Sequence, residues 1–258
     1  GFPLSGTVTV GTAGTYTTFN GVAGLFNDIN TRGLGGDLVV QVISDITETA
    51  YTPLNRQNEF CGSGYKIKVT PNNNTVRTIT GATNQTLIDI NGAFNLTVDG
   101  RDPSNLAGGA RNLVFRNNSS FPAIRFNNGA KNDTIMYCQV QSKVQNSAQG
   151  AGVITVGGPG VVGTTNLENL YLYENRVSQP TNIGSPVLTD IPQVGIQFQG
   201  SATSQVVNLK VKRNSVFNFQ TTAIGTITPS TGFGNSYIAN GTVIDSNRVY
   251  QTYAIPTY

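Results

Sequence analysis

The stretch Asn208-Leu209-Lys210-Val211-Lys212-Arg213-Asn214-Ser215-Val216 carries the pattern that decides the fold. Apolar and basic side chains alternate over its first part, which is typical of a strand with one buried face. An asparagine then marks a corner, because Asn tolerates the left-handed backbone region and can bond neighbouring backbone groups. A second apolar residue, Val216, follows the corner. The unit therefore predicts two short strands joined by a sharp turn.

Similar units occur on both sides of this stretch. Residues 169–177 and 242–249 resemble it closely, and residues 112–120 and 133–140 are weaker copies. Successive anchor valines are 37, 39 and 33 residues apart: Val140, Val177, Val216 and Val249. Shorter apolar segments lie between the units: Ala123–Phe126, Gly152–Ile154, Gly195–Phe198, Ala223–Gly225 and Ala254–Ile255. A period of this length is typical of proteins whose repeats stack on one another.

The repeat predicts an all-β chain folded as a parallel β-helix. In such a fold each strand pairs with its equivalent one turn later, at a spacing of about 4.8 Å. The corner residues should then stack as a ladder that turns the chain and does no chemistry: Asn118, Asn175, Asn214 and Asn247. Gln139 is expected to fill the same place in its own copy.

One helix is predicted, at about 17–32. Its apolar residues recur at steps of three and four: Phe19, Val22, Phe26 and Ile29. Thr17 or Thr18 can cap its start, and Gly33 can end it. Because the end of a stack of strands exposes unpaired backbone groups, we expect this helix to cap the N-terminal end of the fold.

The chain is predicted to form one domain over residues 1–258. Residues 1–50 would supply the N-terminal cap and first turn, and residues 51–258 the repeating turns. Ala254-Ile255 reads as the first strand of another turn, with no capping segment after it. We therefore expect the rest of a longer polypeptide, or a neighbouring subunit, to cover the C-terminal end.

Composition excludes several kinds of chemistry. The 258 residues include no His, so histidine-based triads and histidine metal sites are impossible, and no metal or other cofactor is predicted. Cys61 and Cys138 fit no zinc spacing, while a disulfide between them stays open as an alternative. The net charge of +3 comes without any run of Lys or Arg, so no nucleic-acid partner is expected. No apolar run is long enough to insert into a membrane.

Two segments near the start carry a resemblance to a known family. Residues 14–19, the predicted helix, and residues 36–42 with Thr47-Glu48 resemble the opening turn of right-handed β-helix proteins of the pectin-lyase-like superfamily. The Leu-x-Val-x-x-Asn-x-Val units are similar to that superfamily's repeats. The low charge, 11% of residues, and the richness in Thr, Asn and Gly resemble large secreted surface proteins of Bacteroidota, many of which use type IX secretion. The resemblance implies a right-handed parallel β-helix in a secreted or cell-surface protein.

The resemblance leaves activity open, because this fold hosts lyases, hydrolases, esterases and adhesins. The aspartate cluster and Gly-His-Gly segment of polygalacturonases are missing from the sequence. We therefore expect a non-enzymatic structural or adhesin module. The alternatives are a domain that binds or cleaves acidic polysaccharides, and a subunit of an extracellular filament. Outward-facing side chains would form the glycan site: Tyr171, Tyr173, Arg176, Lys210 and Lys212. A lyase could draw further on Arg213 and Arg248.

Overall fold

The computed structural model describes residues 1–144, 152–157, 165–180, 190–201, 203–219, 231–236 and 241–252. Its elements, in chain order, are β1 (Leu4–Val10), α1 (Leu25–Arg32), β2 (Leu34–Val42), β3 (Ile46–Glu48), β4 (Leu54–Asn55), β5 (Ile67–Pro71), β6 (Arg77–Gly81), β7 (Ile88–Asn91), β8 (Leu96–Asp99), β9 (Leu113–Asn117), β10 (Ile124–Asn127), β11 (Thr134–Met136), β12 (Cys138–Ser142), β13 (Ile154–Gly157), β14 (Leu167–Glu168), β15 (Tyr171–Tyr173), β16 (Arg176–Ser178), β17 (Val194–Gln199), β18 (Val206–Val207), β19 (Lys210–Lys212), β20 (Ser215–Phe217), β21 (Thr231–Ser236), β22 (Val243–Asp245) and β23 (Arg248–Tyr250).

These strands form three long sheets. Sheet A orders β1-β2-β5-β8-β11-β15-β19-β22, sheet B orders β3-β6-β9-β12-β16-β20-β23, and sheet C orders β4-β7-β10-β13-β17-β21. A short sheet D pairs β14 with β18. From β2 onward the chain visits sheets A, B and C in that order repeatedly, and we call each such passage a circuit. The chain is thus all-β with stacked parallel sheets, as expected of a parallel β-helix.

The strands pair in parallel with their equivalents one circuit later. Val140 is in register with Val177, Val177 with Val216, and Val216 with Val249. The spacing of these valines in the sequence therefore indicated the pairing register. The predicted segments Ala223–Gly225 and Ala254–Ile255 lie outside the described residues.

Inward-facing side chains of all three sheets belong to one continuous hydrophobic core. Leu172 shows the alternation, because it is fully buried while its neighbours Tyr171 and Tyr173 on β15 are partly exposed. Buried apolar side chains at nearly all inward positions keep the strands of successive circuits in contact through both side chains and backbone. The outward positions are consequently free to carry polar and aromatic residues.

The helix is shorter than predicted. It begins at Leu25, not near residue 17, and its N-cap is Gly24, which makes no side-chain capping bond. Val22 is 92% exposed, so it does not belong to the buried stripe. Gly33 does end the helix, with a positive φ of 67° that suits glycine. The helix packs on β1 and β4, the first strands of sheets A and C.

A buried carboxylate explains the late start of the helix. Glu48, on β3, accepts hydrogen bonds from the N–H groups of Phe19 (2.7 Å) and Asn20 (3.0 Å). These two bonds hold the segment before α1 against the edge strand of sheet B. Burial raises the pKa of the Glu48 carboxyl, and the two N–H donors oppose that rise. A contact between residues so far apart in sequence cannot be read from helical periodicity.

Both cysteines are free, which rules out the disulfide that the sequence left open. Cys61 is exposed, whereas Cys138 is fully buried at the start of β12. Burial raises the pKa of the Cys138 thiol, so this side chain stays protonated and packs as a small apolar group.

One buried acid interrupts the apolar interior of sheet A. Asp133 is in register with Leu96 and Leu170, which hold the same inward position in the adjacent circuits. It is fully buried; its Oδ1 accepts from the Leu96 N–H at 2.8 Å, and its Oδ2 has no hydrogen-bond partner. Burial raises the pKa of the Asp133 carboxyl well above its usual value, and the Leu96 N–H only partly opposes this. The folded chain therefore favours the neutral acid.

The Asp133→Asn variant tests this burial through the pH dependence of stability. Below the pKa of an unfolded Asp, about 4, the carboxyl is protonated in both states, and the stability that the raised pKa supplies is complete. As the pH rises towards the folded-state pKa, only the unfolded chain releases the proton, so wild-type stability falls by up to about 1.4 kcal/mol per pH unit. The amide does not titrate. We expect the urea midpoint of the variant, relative to wild type, to increase from about pH 4 to about pH 7; a constant difference would contradict a buried neutral acid.

Candidate functional site

Three of the predicted corner asparagines form one stack, in which Asn175 and Asn214 are fully buried and Asn247 is half-buried. The Oδ1 of Asn214 accepts from the backbone N–H and the Nδ2 of Asn175, both at 3.0 Å. Asn247 repeats this pattern, since its Oδ1 accepts from the N–H (2.9 Å) and Nδ2 (3.0 Å) of Asn214. Remaining amide hydrogens go to backbone oxygens of sheet A, such as Leu172. We call this set the inner stack; it joins sheets A and B in three consecutive circuits.

Asn118 does not belong to the inner stack, which corrects the sequence prediction. It is exposed and follows the far end of β9, where its N–H bonds Gly81. The residue of that circuit in register with the stack is Leu113, because Leu113 pairs with Cys138. Cys138, not Gln139, precedes Asn175 in the stack, and its N–H donates to the Asn175 Oδ1 at 3.0 Å. The 112–120 copy is too degenerate for its asparagine to indicate the corner.

The left-handed residue at this corner is the one before each stack position, which is Cys138 in the first of these circuits and an asparagine in the next three. Tyr137, Glu174, Arg213 and Ser246 all have φ between 52° and 56°. The sequence pattern predicted this conformation for the asparagines themselves. The backbone turns at the preceding residue, and the asparagine side chain then bonds the strands that the turn brings together.

A second asparagine ladder lies on the surface, at the entry to sheet A. Its side chains are linked by Nδ2-to-Oδ1 hydrogen bonds of 2.9 to 3.2 Å that run through four circuits: Asn95, Asn132, Asn169 and Asn208. All four have φ near 55°, so here the asparagines do take the left-handed conformation. We call this set the outer ladder. The sequence offered a signal, because an Asn precedes Leu96, Leu170 and Leu209.

Beside the outer ladder is a groove of about 510 Å³ on the outer face of sheet A. Its lining residues come from two adjacent circuits, and we call it the Tyr171 groove: Asn169, Leu170, Tyr171, Asn208, Lys210 and Lys212. Tyr171 on β15 is in register with Lys210 on β19, and Tyr173 is in register with Lys212. Four of the five side chains predicted to bind glycan are thus together on one face.

Arg176 is the predicted site residue that lies elsewhere. It begins β16 in sheet B, beyond the corner that follows Tyr173. Its guanidinium lies 5.4 Å from the ring centroid of Phe217, a cation–π contact within sheet B. The corner turns the chain onto a different face, so proximity in sequence does not bring Arg176 to the groove.

Tyrosine rings and arginines extend the groove along the stack of circuits. Tyr171 and Tyr173 have ring centroids 5.4 Å apart, and Tyr137 meets Tyr173 edge-on at 5.5 Å. The Arg101 guanidinium covers Tyr137 at 4.4 Å, while Arg213 lies 5.9 Å from the Tyr173 ring and donates to its hydroxyl at 3.1 Å. Sequence reasoning missed Tyr137 and Arg101 as neighbours of the groove, because both lie in turns of other circuits.

The face around the groove carries excess positive charge. Among the described residues, Lys210, Lys212 and Arg213 form no ion pair. The carboxylate closest in register is Asp245, opposite Lys212 on β22. Glu174 is neutralised by Arg111 at 3.0 Å. Within the described residues these three cations thus have no ion pair, and an excess of positive charge favours the binding of an anion.

The tyrosines around the groove are hydrogen-bond donors. Burial raises the pKa of Tyr171, with the neighbouring Tyr173 adding to the rise. Burial also raises the pKa of Tyr137, and its contact with Tyr173 adds to that rise. Both phenols thus stay protonated at neutral pH. They offer flat apolar faces and hydroxyl donors, but they are poor acceptors of a proton from a substrate.

A different polar cluster lies on the outer face of sheet C. Arg125 on β10 is in register with Asp89 on β7 and holds its carboxylate through Nε (3.0 Å) and Nη2. Tyr51 donates its hydroxyl to the same carboxylate, and burial with the Asp89 charge raises the pKa of Tyr51 to about 12. Each charged group already has its partner. This cluster ties residues 51, 89 and 125 together and presents no free group for a ligand.

Comparison of the chain with protein families, with curated proteins and with solved structures finds no match. Within the described ranges, no helix has the length and apolarity needed to cross a bilayer. Over the same residues, no three His, Cys, Asp or Glu side chains converge as a metal site would require.

A pair of alanine variants tests the assignment of Asn214 to the inner stack and the exclusion of Asn118 from it. Asn214→Ala removes a fully buried amide whose Oδ1 accepts from the Asn175 N–H and whose Nδ2 donates to the Leu172 carbonyl. We expect a loss of about 1–3 kcal/mol in the free energy of unfolding by urea titration. Asn118→Ala, at an exposed site, should change it by less than about 0.5 kcal/mol. Equal losses in the two variants would contradict the assignment.

Proposed function

We propose that this chain is a non-enzymatic module of a secreted or cell-surface protein, folded as a right-handed parallel β-helix, whose Tyr171 groove binds an acidic polysaccharide. The observation that carries the proposal is the alignment of Tyr171 with Lys210 and of Tyr173 with Lys212 on one outer face. The proposal combines the adhesin hypothesis from the sequence with the glycan-binding alternative. The Bacteroidota-type secreted origin rests on the composition and the repeat.

The groove offers what an acidic sugar chain needs. The rings of Tyr171 and Tyr173, 5.4 Å apart, present apolar surface to the C–H faces of sugars. Lys210 and Lys212 supply positive charge without a competing ion pair in the described residues. Asn169 and Asn208 place carboxamides at the rim, where each can donate and accept hydrogen bonds with hydroxyl groups.

Binding without cleavage fits this chemistry better than lyase activity. A lyase must neutralise a uronate and remove a proton from its ring. The groove supplies cations for the first task. For the second, Tyr171 has a raised pKa and the Tyr173 hydroxyl already accepts a hydrogen bond from Arg213. We therefore assign the groove a holding role, with the rigid sheet beneath keeping its side chains in place.

The Lys210→Gln/Lys212→Gln double variant tests the groove. We expect its affinity for polygalacturonate or alginate to fall about tenfold or more, because two cations are lost from an anion-binding face. Isothermal titration calorimetry at two salt concentrations should show that wild-type binding weakens with salt and that variant binding depends on salt less.

Lys68→Gln is the matched control. Lys68 lies on the same outer face of sheet A, three circuits before Tyr171 and outside the groove. Its loss should change the affinity less than twofold. Equal losses of affinity for the control and the double variant would mean that overall charge, and not the groove, causes binding. Formation of unsaturated uronate, which absorbs in the ultraviolet, would contradict the non-enzymatic assignment.

A specific observation favours a second role, association through the last described circuit. Ile244 is in register with Val211, yet it is 44% exposed while Val211 is fully buried. Val249 is likewise 47% exposed, in register with the buried Val216. We propose that a further circuit covers these strands, supplied by the same polypeptide or by a neighbouring subunit, as in a filament.

Sedimentation velocity of this chain over a wide range of concentrations tests the subunit form of that role. Strand edges with exposed apolar side chains should associate, so the average mass should rise with concentration. Ile244→Lys should reduce the association, because it places a charge on that surface. A single species of monomer mass throughout the range would exclude assembly through this end.

A further inference from the structure

A second, smaller groove lies across the outer ladder from the first. It encloses about 170 Å³, and we call it the Arg56 groove. Arg56, Phe94, Lys131 and Glu168 line it, with Asn166 beside them. This space is below the range typical of drug-sized ligands and suits one sugar ring or one small anion.

Charge in the Arg56 groove also favours an anion. Arg56 is exposed and Lys131 is half-buried, and within the described part of the chain neither forms an ion pair. Glu168, opposite Lys131 in an isolated parallel bridge, is the one acid among the described lining residues. The Arg56 guanidinium lies 5.8 Å from the ring centroid of Phe94, so an aromatic ring and a cation are combined here as they are in the Tyr171 groove.

The two grooves share a wall. Glu168 lines the Arg56 groove and the next residue, Asn169, lines the Tyr171 groove. Asn169 belongs to the outer ladder, where its Nδ2 donates to Asn132 and its Oδ1 accepts from Asn208. Each exposed carboxamide keeps a second hydrogen and a second lone pair beyond those bonds. The outer ladder is therefore a polar ridge that can bond sugar hydroxyls between the two grooves.

We infer that an acidic glycan chain crosses this ridge and occupies both grooves, with the Arg56 groove as a second subsite for a uronate or a sulfated sugar. This inference rests on the proposed function of the Tyr171 groove. Two linked subsites make the second contact intramolecular, so affinity should grow steeply once an oligosaccharide is long enough to reach both. A disaccharide would occupy one groove alone.

Titration calorimetry with oligogalacturonides of two lengths, a disaccharide and an octasaccharide, tests the inference. The Arg56→Gln/Lys131→Gln variant should lose about tenfold or more in affinity for the octasaccharide, because the second contact is removed. Its affinity for the disaccharide should stay within twofold of wild type. Lys66→Gln removes an exposed cation outside both grooves and should leave both affinities unchanged.

The outcomes separate this inference from the function on which it rests. An unchanged octasaccharide affinity in Arg56→Gln/Lys131→Gln, together with a loss in Lys210→Gln/Lys212→Gln, overturns the second subsite and keeps the first. Unchanged affinity in both double variants overturns the proposed function as well. Equal losses for the two lengths in Arg56→Gln/Lys131→Gln also contradict a chain that spans the ridge. Circular dichroism and urea midpoints matching wild type establish that each variant is folded.

Discussion

Parallel backbone pairing between equivalent positions one circuit apart is the constraint on which the rest of this structure depends. It places every side chain directly beside its counterpart in the next circuit, at the spacing of neighbouring strands. Valine then packs on valine, as Val177 does between Val140 and Val216. The same constraint aligns asparagines, so that Asn214 can bond both Asn175 and Asn247. The same side-chain contact is thus repeated from one circuit to the next along the stack.

The constraint also builds the outer faces. Side chains that alternate outward along one short strand meet those of the next strand in register, which is how Tyr171 comes beside Lys210. Rows of this kind are rigid because the backbone beneath them is paired on both sides. The interior tolerates few departures, and Asp133 shows the consequence: burial raises the pKa of an acid at an inward position and so disfavours its charged form. Chemistry that needs ionised groups is therefore confined to outward positions and corners.

Much of the architecture could be predicted because it is local and repeated. Strand alternation and the corner asparagine lie within a few residues in each well-kept unit, and the anchor valines repeat the unit every 33 to 39 residues. The failures involved distant or degenerate contacts. The start of the helix depends on Glu48, which binds Phe19 and Asn20 from another element. Asn118 carries the right residue type in a copy whose register is set by Leu113. Side-chain type alone could show neither the contact of Glu48 with the segment before the helix nor the register of the circuit that contains Asn118.

The sequence by itself determined the stacked parallel β-structure and the outward placement of Tyr171, Tyr173, Lys210 and Lys212, because a period-two pattern that recurs every 33 to 39 residues specifies both. Only the tertiary structure decided which outward residues share a face. Arg176 follows Tyr173 closely in the chain, yet a left-handed corner sends it to sheet B. Arg56 and Lys131, far apart in the chain, line one groove. A turn of the backbone moves residues that are close in sequence onto different faces, and strand pairing brings residues that are far apart in sequence together. Both effects depend on several segments at once, so no single segment predicts them.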